Sequence, residues 1–97
     1  MDIGSVVYSK AGRDSERYYI VTGLSEKPDY VYIIDGELRR LEKPKLKKIK
    51  HLRDTGAVVE KLAEKFKSKK LVHNAEIRSA LRQYNDKSGQ LPEEERR

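Results

Sequence analysis

The densest concentration of chemistry in this chain is cationic. Arg39, Arg40, Lys43, Lys45, Lys47, Lys48 and Lys50 follow one another closely, and residues 38–53 hold eight Lys or Arg side chains against the single acid Glu42, a net +7 in a 97-residue chain whose total is +6. Ammonium and guanidinium groups at this density neutralise phosphates: Arg in a bidentate fork, Lys as a point charge. A second basic stretch, residues 61–82, carries +5, and residues 1–37 carry −3. Positive charge confined to segments makes a local potential that attracts polyanions, nucleic acid first among them.

Other chemistries lack their ingredients. His51 and His73 stand beside lysines and have no flanking carboxylate spacing that would suit a metal. No serine lies in a Gly-x-Ser-x-Gly elbow, and there is neither a Gly-Lys-Thr phosphate loop nor a Gly-x-Gly-x-x-Gly run. Asp14 and Glu16 read as a solvated turn pairing with Arg13 and Arg17, not as an acid–base couple. The chain has no cysteine, which removes disulfides and thiolate metal sites. The expectation is therefore a protein that is not an enzyme and that takes no metal, cofactor or small-molecule substrate. Tyr18, Tyr30 and Tyr32 either stack on an unpaired base, if their face is exposed, or pack a core.

The elements that must position these groups change character along the chain. With 36% apolar and 39% charged residues, one small core is expected. Five short strands are read at Ile3–Tyr8, Arg17–Leu24, Tyr30–Ile34, Leu38–Leu41 and Ile49–Leu52. In the second, Tyr18, Ile20, Thr22 and Leu24 share one face, and Tyr19, Val21 and Gly23 the other; in the third, Tyr30 and Tyr32 oppose Val31 and Ile33. Asp35-Gly36 predicts a tight hairpin with a type I′ turn. Past Thr55-Gly56 the period becomes helical. Val58, Val59, Leu62, Ala63 and Phe66 form one stripe, with Asp54 or Thr55 as its cap. Ile77, Ala80, Leu81 and Tyr84 form a second, capped by Asn74 and stopped by Asn85, Asp86 and Gly89. The stripes pack on each other and on the sheet, or one of them serves as a docking face. Residues 1–54 thus read as a β domain, 55–85 as a helical extension and 86–97 as a disordered tail. The N-terminus lacks the pattern of a signal peptide, and no apolar run approaches the ~20 residues of a membrane span. A soluble, cytoplasmic protein is expected.

The stretch "IGSVVYSKAGRDSERYYIVTGL" resembles the KOW motif: a Gly-containing first strand, a loop built round a Gly, and a second strand of alternating hydrophobics. "YVYIIDGELRRLEKPKLKKIKHL" continues the likeness. Together, over residues 3–53, they are similar to the small SH3-like barrel of the KOW-containing large-subunit ribosomal protein family of archaea and eukaryotes (the L-fourteen-e group). The resemblance implies a mainly β fold with an α appendage, a five-stranded SH3-like barrel followed by two short C-terminal helices. It implies RNA binding, with rRNA or another structured RNA as partner and ribosomal proteins beside it. Gly12 becomes the motif glycine, Lys10, Arg13 and Arg17 lie on or beside the first loop, and Arg39, Arg40, Lys43, Lys45, Lys47, Lys48 and Lys50 line the basic edge. Where many KOW motifs read Lys-Gly, this chain has Ser15-Glu16. The loop has lost a cation and a glycine and gained an acid, which moves the expected phosphate contact to residues 39–50.

Two functions follow as expectations. The first is an RNA-binding module associated with rRNA, the ribosome or translation. The second is a protein-interaction adaptor using a barrel groove or the helical tail, including a NusG-like role in transcription.

Overall fold

The computed structural model describes residues 1–12 and 15–85. The expected disordered tail, 86–97, and Arg13 lie outside the described residues. The fold is mainly β: a five-stranded antiparallel sheet carrying two helices. The strands are β1 (Ser5–Ser9), β2 (Tyr18–Leu24), β3 (Tyr30–Ile34), β4 (Lys45–Lys48) and β5 (Leu52–Val58), and a 3₁₀ turn, Ile49–His51, joins the last two. The helices are α1 (Glu60–Lys67) and α2 (Asn74–Asn85). No helix among the described residues is long and apolar enough to cross a membrane.

Paired hydrophobics such as Val6-Val7, Tyr19-Ile20-Val21 and Ile33-Ile34 leave no polar face on β1, β2 and β3, so the sheet needs cover on both sides. Register sorts them. Val6, Ile20 and Ile34 align across three strands and meet Leu62 of α1 and Ile77 and Leu81 of α2. Val7, Tyr19, Val21, Val31, Ile33 and Leu52 occupy the opposite face with Ile49. No helix covers that second set, yet five of its members are entirely excluded from solvent or nearly so. The sheet must therefore curl over it. The strand order, β4-β3-β2-β1-β5, demands the same: β4 and β5 lie at opposite edges but are joined by only the three-residue turn Ile49–His51. The edges approach without forming a β4–β5 ladder, so the sheet stays open.

Several expectations need correction. Asp35-Gly36 does not make a two-residue hairpin. Only Gly36 has positive φ, and the Asp35 carboxylate accepts the backbone N–H groups of Glu37 (3.0 Å) and Arg39 (2.8 Å). This side-chain-nucleated loop carries residues 38–41 away from β3, and Leu41 N–H turns to the Asn74 side chain. The fourth strand is therefore Lys45–Lys48, not Leu38–Leu41. The expected fifth strand, Ile49–Leu52, is the 3₁₀ turn, and β5 runs on from Leu52 to Val58. Asp54 and Thr55 cap no helix. Their side chains accept the N–H groups of Gly56 and Ala57 inside a bulge of β5, and the Thr55 hydroxyl donates to Val6 O. Val58 also belongs to β5 rather than to the α1 stripe.

Asn74 does not cap α2. The carbonyl of His73 accepts the first helical bond, and Glu76 reaches back to the His73 N–H (3.0 Å), half of a capping box. Both helical stripes pack on the sheet through Leu62, Ile77 and Leu81, with Val59, Phe66, Ala80 and Tyr84 partly buried beside them. Gly4 allows it: a Cβ there would come within 2.5 Å of Ala63 Cβ on α1. At the other end of α2, Asn85 Oδ1 accepts the Tyr18 N–H (2.8 Å) and its Nδ2 donates to Tyr18 O (3.0 Å). That amide continues the ladder of β2 beyond the point where β3 ends.

Candidate nucleic-acid interface

Strand period decides what each lysine of the basic run can reach. In β4, Lys47 lies opposite Val31 and Lys48 opposite Tyr30, so the two point to opposite faces. Lys47 turns toward the inner cluster, is 7% exposed, and donates from Nζ to Ala11 O at 2.8 Å. Lys47, grouped by the sequence with the phosphate contacts, is the one lysine of the 43–50 run that is buried. Its ammonium secures the first loop from beneath. Gly12 completes that arrangement: its φ is +89°, and a Cβ would stand 2.9 Å from Lys47 Nζ. Glu16 also adopts a left-handed φ of 66°, a conformation that favours glycine.

Lys48 lies on the outer face with Tyr30, whereas Lys45, opposite Ile33, shares the face of Lys47 at the start of the strand. Lys43 and Lys50 are exposed, and Lys45 and Lys48 are half-buried. Exposed Lys10 approaches the same turn, because its N–H donates to His51 O. Two cations that sequence reasoning did not single out join them. Arg53 is exposed on β5, with its guanidinium 5.0 Å from the Tyr8 ring centre. Lys27, in the connection between β2 and β3, brings its ammonium 5.2 Å from the ring centre of Tyr30, where Lys48 Nζ also lies at 5.8 Å. The signal for Lys27 was its turn position immediately ahead of an aromatic strand. Among the described residues, no carboxylate lies within salt-bridge distance of Lys10, Lys27, Lys43, Lys45, Lys48, Lys50 or Arg53.

The arginines expected at the site are tied differently. Arg17 bridges the buried Asp35 (Nε to Oδ2 3.1 Å, Nη2 to Oδ2 3.0 Å) and Glu37 (3.3 Å), so it anchors the 35–39 loop. Arg39 is half-buried in that loop, where its carbonyl accepts from Asp35 and Gly36. Arg40 is loosely opposed by Glu42 at 3.8 Å. The backbone N–H at Glu42, then the Asn74 amide, hold the Glu42 carboxyl below its ordinary pKa, so it keeps its charge beside Arg40. Arg17 and Arg40 are thus opposed by carboxylates, whereas Lys45 and Lys48 on β4 and Lys50 in the 3₁₀ turn are not, among the described residues.

The tyrosines divide as well. Tyr18 packs between Tyr8 (4.9 Å between ring centres) and Tyr84 (5.2 Å), against the helix-covered core. Tyr30 and Tyr32 share the outer face with Ile34, but the helices cover only Ile34, and Tyr32 remains 38% exposed. No protein-family model matches the chain, and no curated protein matches it.

Proposed function

We propose that this chain is an RNA-binding module, an SH3-like barrel of KOW type that works with rRNA, the ribosome or another part of translation. It grips phosphates through Lys43, Lys45, Lys48 and Lys50, with Lys10, Lys27 and Arg53 beside them. One observation carries the reading: Lys45, Lys48 and Lys50 follow one another along β4 and the 3₁₀ turn, Lys10 joins that turn, Lys27 stands with Lys48 at Tyr30, and none of these cations has a carboxylate partner among the described residues. Like charges held together without counter-charge are stabilised by a polyanion and by the counterions it releases. The curled sheet, its edges drawn together through Ile49–His51, supports the barrel assignment. The adaptor reading has less to draw on from the helices, because Leu62, Ile77 and Leu81 of the two stripes are buried against the sheet.

Filter binding to a structured RNA across a salt series tests the proposal. Four to six phosphate contacts predict a log–log slope of about −3 to −5. A slope near zero, or no binding at low salt, overturns it. Partners that survive nuclease digestion in a pull-down would favour the adaptor instead.

A further inference from the structure

We infer that the RNA bound here is single-stranded, with one unpaired base seated on Tyr32; the inference rests on the RNA-binding reading above. Beside Tyr32 the surface holds an open groove of about 520 Å³ lined by Leu24, Ser25, Glu26, Lys27, Tyr32 and Leu46. Its apolar part is made by Leu24, Tyr32 and Leu46 together. Leu24 is 58% exposed and Tyr32 38%, and Leu46 lies directly opposite Tyr32 in the β3–β4 ladder. Nothing in the fold needs these side chains uncovered, since Ile34, two residues along the same face, is fully buried under the helices.

The groove adjoins the cations. Lys27 lines it and also stands at the Tyr30 ring together with Lys48. Tyr30 and Tyr32 are neighbours on one strand face, about 6.6 Å apart along the strand. That is close to the span from a nucleobase to its own phosphate. A base lying on Tyr32 therefore places its phosphate at Lys27 and Lys48. Glu26 at the groove repels a phosphate but accepts a hydrogen bond from an exocyclic amine, such as that of adenine. A duplex keeps its bases stacked on each other and cannot use an aromatic floor, whereas an unpaired strand can.

The test measures fluorescence anisotropy of labelled oligo(A) of about 12 nucleotides against an RNA duplex of about 12 base pairs, at matched salt. The unaltered chain is expected to prefer oligo(A). Tyr32→Ala should weaken oligo(A) binding about 5-fold or more, as loss of a stacking platform does, and change duplex binding by less than about two-fold. Tyr32→Phe, which keeps the ring, should restore oligo(A) affinity. Equal losses on both RNAs, no loss on oligo(A), or a preference for the duplex would overturn the inference and leave the RNA-binding reading standing. If neither RNA binds at low salt, the RNA-binding reading itself falls. Because Tyr32 is partly exposed, the Ala variant should melt like the parent, and a circular-dichroism melt checks this.

Discussion

Lys47 and Lys48 are adjacent in sequence and, on the strand geometry, opposite in purpose. Replacing each in turn separates structural charge from the charge proposed to bind RNA. In Lys47→Met the stem remains apolar and of similar length, so little burial is lost, but the bond from Nζ to Ala11 O at 2.8 Å disappears. A hydrogen bond from a charged group is worth about 1.5–3 kcal/mol, and Lys47 is 7% exposed, so water replaces it poorly. At about 4–8 °C per kcal/mol for a domain of this size, the melting temperature should fall by about 6–24 °C. RNA affinity and its salt slope should stay unchanged, since this ammonium faces inward. Lys48→Ala should behave conversely. Its side chain lies on the outer face, so stability should change by no more than about 0.5 kcal/mol. Loss of one phosphate contact should flatten the salt slope by about 0.7–0.9. Thermal melts followed by circular dichroism, and RNA anisotropy at several salt concentrations, read both quantities. The reasoning is refuted if folded Lys47→Met loses as much salt slope as Lys48→Ala, or if it melts like the parent.

Other expected outcomes concern the fold. Asn85→Ala removes two hydrogen bonds to the Tyr18 backbone and should cost about 1–3 kcal/mol, with faster hydrogen exchange at the Tyr18 amide; unchanged exchange would show that α2 is not fastened there. Glu16→Gly relieves a side chain at φ 66°, so despite glycine's greater chain entropy it should leave stability unchanged or raise it by up to about 1 kcal/mol; a clear loss in a urea melt would contradict the strain argument. Glu76 carries a lowered pKa, first through the bond from Lys65 and then through the His73 N–H, so its contribution is present above the ordinary carboxylate range and is lost as pH falls through the lowered folded value. The stability gap between the parent and Glu76→Gln should therefore hold from about pH 8 to 5 and close below about pH 4; a gap that persists in acid would assign it to something other than charge.

Local pattern carried much of this fold. Alternating apolar residues located β2 and β3 and sorted their faces as far as Val21, beyond which a bulge sets Gly23 opposite Tyr32, and the stripes Leu62-Ala63-Phe66 and Ile77-Ala80-Leu81-Tyr84 located both helices. The same period misled near residue 35, because the signal for a turn is local while the competition for backbone N–H groups is not. Asp35 accepts two of them, Arg17 arrives from eighteen residues away, and Asn74 takes the N–H of Leu41. Those partners cannot be seen from Asp-Gly alone.

The candidate site divides along the same line. Composition by itself determined that this chain concentrates +7 in residues 38–53 and has no thiol chemistry. It could not say which cations face water, because adjacent residues on a strand point opposite ways and the pairing partner selects the face. Tertiary structure alone decided that Lys47 reaches under the first loop while Lys48 meets Tyr30, and that Arg17 is tied to Asp35. It also brought Lys27, from the β2–β3 connection, beside Lys48 at the Tyr30 ring. Charge is a sum over residues and can be counted along the chain, but a binding surface is a set of distances, and only folding fixes those.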